Sequence, residues 1–169
     1  MAQSAISHPA SFSVSQRGLH WLTVVFVFFN LLMPDGIADW HRAVRRTGTA
    51  TLEQIGAANI HAYIGFAILI AVIARLTLRS LHGVPDPSEE EPPVFRVIAK
   101  AAHVALYGLL IAMPLSGIAA YYFGVSVAGD LHADILKVLL WLLIAAHVGG
   151  ALAHQFYWKT NALRRMTLG

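Results

Sequence analysis

Residues 131–154 read LHADILKVLLWLLIAAHVGGALAH. The run is apolar enough to dissolve in hydrocarbon, yet it carries three imidazoles. His132, His147 and His154 are spaced fifteen and then seven residues apart. The stretch exceeds the ~20 residues that a helix needs to cross a bilayer core. An unpaired strand could not satisfy its backbone in lipid, so the segment is read as a transmembrane helix. What remains to be explained is why a lipid-facing helix carries three histidines.

The rest of the chain repeats the pattern. With this one, extended to 131–158, there are four apolar runs: 18–33, 57–78, 97–123 and 131–158. Across the 169 residues, 57 % are hydrophobic and 12 % charged, and mean hydropathy is +0.60. A soluble domain carries about 25 % charged residues, so most of this chain is solvated by membrane lipid. The fold expected is an all-α integral membrane protein, a four-transmembrane-helix bundle forming one membrane domain over residues 1–169. The polar stretch 1–16 lacks a basic start and reads as a tail leading into the first span, not as a cleavable signal. Residues 34–56 and 79–96 read as loops, the second holding the acidic, proline-rich VPDPSEEEPP. Thr51 and Gln54 have the spacing of a capping box, which would start the second helix outside the membrane. Pro114 is expected to kink the third helix. There is no cysteine, which excludes disulfides, iron–sulfur ligation and covalent CxxCH attachment of a haem. The basic residues are scattered at the ends of apolar runs, so no nucleic acid partner is expected.

Lysine and arginine bias sets the orientation. Arg17, Arg75, Arg79, Arg96, Lys100, Lys159, Arg164 and Arg165 fall on one side of such a bundle. Arg42, Arg45 and Arg46 fall on the other, with Lys137 just inside the fourth helix. The bias puts both termini in the cytoplasm. The histidines then sort by depth. His61 and His132 share an outer level on helices two and four. His147 lies fifteen residues below His132, ~22 Å along the axis, at an inner level with His20 and His103. His154 reaches the inner interface. Depth alone allows His147 to pair with either His20 or His103.

Two levels, each offering imidazoles from different helices, suit two haems with two axial histidines apiece. A zinc site would gather its ligands at one level, and a proton relay would mix in carboxylates. Among the spans only Asp134, near an end, is acidic. Gly65, Gly108, Gly117, Gly149 and Gly150 would let a flat macrocycle or a second helix approach closely.

The segments RGLHW (17–21), NIHAYIGFAILIAVIARLTLR (59–79), AHVALYGLLIAMPLSG (102–117), LH (131–132) and AAHVGGALAHQFYWK (145–159) together resemble the bacterial cytochrome b561 family. Its small four-helix di-haem members, which include superoxide oxidases, are the nearest likeness. The resemblance covers about residues 16–166 and implies a multi-pass protein of the bacterial inner membrane holding two haem b groups. It implies His20 with His147 on the inner haem and His61 with His132 on the outer. It further implies ubiquinone near the inner haem, with His154 on the quinone side and His103 at the same level.

Lys137, a cation in an apolar span, is expected either to contact a haem propionate or to snorkel outward. On this reading Arg42, Arg45 and Arg46 would steer superoxide to the outer haem, unless they contact lipid phosphate, and Asp35, Asp39 and Glu53 dilute their charge. The leading expectation is oxidation of superoxide outside with reduction of ubiquinone inside. A general quinol-linked carrier, or a cytochrome b subunit docking an unknown protein partner through 34–56, is the second. A haem-free transporter or channel is the third, for which only Pro114 speaks.

Overall fold

The computed structural model describes Pro9, residues 11–86 and residues 92–168. Residues 1–8 of the polar tail and the three glutamates of VPDPSEEEPP lie outside the described residues. What is described is helical throughout: α1 (Val14–Leu32), α2 (Asp35–Thr47), α3 (Leu52–His82), α4 (Pro93–Phe123), α5 (Ser126–Asp130), α6 (Lys137–Phe156) and α7 (Ala162–Thr167). A π-helical turn, Leu131–Leu136, joins α5 to α6. Three helical stretches, Leu52–His82, Pro93–Phe123 and Ser126–Phe156, are long and apolar enough to cross a membrane. α1 and α2 form a fourth span only as a pair bent by 44°.

The helices start earlier than the apolar runs because polar caps, not apolar residues, set their ends. Ser13 accepts from the Gln16 amide and its own N–H donates to Gln16 Oε1, a capping box that opens five residues ahead of the 18–33 run. The box expected at Thr51 and Gln54 is present. Each closes two orphan N–H groups that would otherwise face a poor solvent. α4 begins on Pro93, whose missing N–H costs nothing in a first turn. It runs on through Pro114 to Gly124, which closes it in the left-handed region at φ +66°.

The stretch 34–56, expected as a loop, contains α2. Its composition suits a helix lying at an interface. Asp35 sits in the first turn and Arg45 and Arg46 in the last, complementing the helix dipole, and its apolar face packs on α3. The approach is close at Gly36, where a Cβ would stand 2.6 Å from the Ala57 Cβ.

α1 packs on α3, α3 on α4, and α4 on α6. Among the described residues, α1 with α6 and α3 with α6 have no comparable contact. The buried core is Val27, Ile68, Val72, Leu110 and Leu140. Val27 is seven residues after His20, Ile68 seven after His61, and Leu140 seven before His147. The core is therefore a plug roughly 10 Å from each histidine level. Outward from it, Val25, Ile70, Ile73 and Leu142 are exposed, which stabilises nothing in water and suits contact with lipid chains.

Candidate functional site

Two histidine pairs face each other across helix pairs whose backbones stand farther apart than those of direct neighbours. At one level, His61 of α3 meets His132 of the π turn, with ring centroids 6.2 Å apart. At the other, His20 of α1 meets His147 of α6, with centroids 6.3 Å apart. A metal–imidazole bond is about 2 Å long and the ring nitrogen stands about 1 Å from its centroid, so an iron between two trans imidazoles separates the centroids by about 6 Å. Both pairs meet that spacing. His103 also approaches His147, at 5.2 Å, but α4 and α6 pack directly, and that spacing is too short for an intervening iron. Of the two histidines that depth left open, His20 stands 6.3 Å from His147 and His103 5.2 Å.

The outer pair is held in a defined orientation. His132 Nδ1 lies 2.9 Å from the Met113 carbonyl. A carbonyl only accepts, so Nδ1 carries the proton and the Nε2 lone pair is left for a metal. Ser116 Oγ donates to the same carbonyl at 2.9 Å and stands 3.1 Å from His132 Nδ1. Gly117 gives the ring its room, since a Cβ there would be 3.3 Å from His132 Cε1. On the facing side Asn30 Nδ2 donates to the His61 carbonyl at 3.1 Å, while His61 Nδ1 and Asn30 Oδ1 are buried without a partner among the described residues. Orphaned buried polar atoms of this kind are costly. Above them, the Tyr121 hydroxyl donates to Asn59 Oδ1 at 2.9 Å, and Trp40 of α2 stacks edge-on against Tyr121 at 4.6 Å.

The inner pair has a different environment. Arg75 of α3 places Nη2 3.0 Å from His20 Nδ1, and its guanidinium lies over the Tyr107 ring at 5.3 Å. Trp21 packs edge-on against His20 at 5.3 Å, and its indole N–H donates to the Met166 carbonyl of α7 at 3.1 Å. His103 is exposed and its Nδ1 donates to the Ala99 carbonyl at 2.6 Å. His154 is half-buried beside Thr160, with Nδ1 and Oγ1 3.2 Å apart and Trp158 at 5.0 Å. The chain turns there through Lys159 and Asn161, both at positive φ.

The remaining sequence candidates are peripheral. Arg42 is ion-paired with Asp39. Arg45 and Arg46 are exposed on the same helix. Lys137 is exposed and has no hydrogen-bond partner among the described residues. Among the described residues no three histidines or carboxylates converge on one point, so the sites offer pairs, not a zinc-like cluster.

Sequence reasoning missed Arg75 as a site residue, although a signal existed. It follows His61 by fourteen residues, about 40° from it around α3 and ~21 Å lower. Ser116, Met113, Asn30 and Tyr121 had no such signal, since their roles depend on neighbours brought in from other helices.

Residues 11–169 match the family model described as prokaryotic cytochrome b561. The chain is 28 % identical to a Cereibacter sphaeroides protein named cytochrome b562, over 89 % of this chain and 91 % of that one. It is 28 % identical to a Yersinia pestis protein named probable superoxide oxidase CybB, over 92 % and 94 %. Cytochrome b561 homolog 1 of Escherichia coli is 29 % identical over 92 % and 96 %.

Proposed function

The chain belongs to the prokaryotic cytochrome b561 family of multi-pass membrane electron-transfer proteins, and from that premise we propose that it is a di-haem superoxide:ubiquinone oxidoreductase of the bacterial inner membrane, with both termini cytoplasmic. The observation that supports the di-haem reading is the pair of centroid separations, 6.2 and 6.3 Å, each between histidines of different helices. His61 and His132 would hold the outer haem, His20 and His147 the inner. Haem b held by histidines would supply one-electron transfer. Two superoxide anions each give up one electron outside, leaving two molecules of oxygen. One ubiquinone takes both electrons and two protons inside, becoming ubiquinol.

The chain's own residues do the rest. Met113 and Ser116 fix the ring of His132 so that its Nε2 stays available. The Val27–Val72–Leu140 plug keeps water out between the levels, so that protons do not follow the electrons. Arg42, Arg45 and Arg46 raise the local concentration of a small anion on the outer side. His154, oriented by Thr160, is placed to hand a proton to reduced quinone. The superoxide assignment draws its support from these cations and from the name of the Yersinia pestis relative.

Haem content, read from the difference spectrum of the purified chain, tests the first part: two low-spin b haems per chain are expected. A colourless chain after expression with ample haem supply ends the reading. Anaerobic mixing with superoxide tests the second: haem reduction near the diffusion limit is expected, followed by reoxidation with ubiquinone. Two haems that superoxide leaves oxidised would instead favour the general carrier, for which the exposed face of α2 offers a docking surface to a redox protein.

A further inference from the structure

Arg75 poses a chemical conflict. A guanidinium has donors and no acceptor, so in its 3.0 Å contact with His20 the imidazole Nδ1 must accept. The proton of the neutral ring then sits on Nε2. A histidine that binds iron through Nε2 needs that lone pair, and its Nδ1 carries the proton instead. The ring cannot satisfy both. His132 shows the opposite and compatible arrangement, donating from Nδ1 to a carbonyl. Once His20 ligates, Arg75 therefore loses its acceptor.

A guanidinium released in this setting requires an anion. Arg75 is half-buried in a span and its flat face is covered by Tyr107. Among the described residues it has no ion-pair partner, whereas the exposed Arg42 has Asp39. An uncompensated charge at this depth is costly. Haem b carries two carboxylates on its propionate arms, and a planar fork is the group that matches a carboxylate in two parallel hydrogen bonds.

Resting on the di-haem reading, we propose that Arg75 is the counter-ion of the inner haem: it exchanges His20 Nδ1 for a propionate when the haem binds, and its charge raises the potential of that haem alone. Tyr107 keeps the guanidinium in place through both states. The ferric haem carries one more positive charge than the ferrous, so a fixed cation nearby favours the reduced form. The inner haem is thereby made the better electron acceptor of the two, which directs electrons away from the outer side. Arg75 is a positioning and tuning residue, since it touches the cofactor's side arm and not the iron.

The test is a two-by-two cycle on the full chain in detergent. Wild type and Arg75→Gln, produced without haem, are each loaded with haem b or with haem b dimethyl ester, whose arms carry no charge. In wild type the ester is expected to be held ~10-fold more weakly at the inner site and to titrate at a lower potential there. In Arg75→Gln the two haems should behave alike at that site. The outer haem should keep its potential in all four. Arg75→Lys should restore the potential more than the affinity, because it keeps the charge and loses the fork. Arg79→Gln, one turn on, should change nothing. An ester effect equal in wild type and Arg75→Gln overturns the proposal. So does an Arg75→Gln chain that loses its inner haem together with an Arg75→Lys chain that retains it at an unchanged ester-to-haem ratio. Failure of wild type to bind haem at all overturns the di-haem reading instead.

Discussion

Replacing Gly117 with alanine adds one methyl group against the ring of His132. The new Cβ would stand 3.3 Å from Cε1 and 3.5 Å from Nδ1, where carbon contacts are comfortable at ~3.5–4.0 Å. The ring cannot retreat freely, because Nδ1 is tied at 2.9 Å to the Met113 carbonyl and lies 3.1 Å from Ser116. Yielding by a few tenths of an ångström stretches that hydrogen bond, worth ~1 kcal/mol, or tilts the ring so that Nε2 leaves the axis toward His61. Overpacking of this kind costs ~1–3 kcal/mol. Alanine also favours the helix by ~0.5–1 kcal/mol over glycine, so a net loss of ~1–2 kcal/mol in outer-haem affinity is expected, ~5–30-fold. Gly108→Ala on the same helix isolates the propensity term, since its Cβ would meet nothing within 4 Å. The assay is haem release to an excess of apo-myoglobin, with the two haems resolved by their spectra. Outer-haem release from Gly117→Ala matching that from Gly108→Ala would refute the reasoning, because the ring of His132 would then need no space from that glycine.

Three further outcomes follow from the geometry. His103→Ala should retain both haems, whereas His20→Ala should lose the inner one; loss of a haem from His103→Ala, measured as haem per chain, would restore the alternative pairing. Gly36→Ala puts its Cβ 2.6 Å from that of Ala57 and should push α2 off α3, changing the emission of Trp40 as its contact with Tyr121 opens; an unchanged spectrum would mean that α2 is not held there. Neutralising Arg42, Arg45 and Arg46 together should slow haem reduction by superoxide several-fold at low salt and little at high salt; equal rates at both would remove them from the reaction.

The depth of each histidine was legible in the chain because depth needs only residue count and rise. Hydrophobic runs located four spans, and the run-to-run offsets put His61 level with His132, and His147 level with both His20 and His103. Direction around the axis was much less legible. The fifteen residues from His132 to His147 imply ~60° in an unbroken α-helix, but Leu131–Leu136 is a π turn. Its wider i→i+5 bonds re-aim His132, and nothing in AGDLHAD marks it. α2 was hidden for a related reason. Its polar residues look like a loop when the question is which segments enter lipid, and like an amphipathic helix once Asp35, Arg45 and Arg46 are set against a dipole.

The pairing of ligands shows why neighbours had to be seen. Residue count placed His20 and His103 at one level and could not choose between them, since both are single histidines near the cytoplasmic start of a helix. The difference is one of packing. α4 touches α6, so His103 meets His147 as any two side chains meet across a helix contact. α1 and α6 meet through side chains such as Phe28 and Trp141, with wider backbone spacing than α4 and α6, and His20 and His147 stand 6.3 Å apart. The same wider spacing holds for α3 and α6 at the other level. Both separations follow from the order α1–α3–α4–α6, in which each ligand of a pair sits on helices that are not direct neighbours. A bundle that closed α1 onto α6 would bury more apolar surface and gain stability in lipid through tighter packing. It would also bring the two rings too near to admit iron. On the proposed di-haem reading, the wider spacing of these helices trades packing between backbones for room between imidazoles.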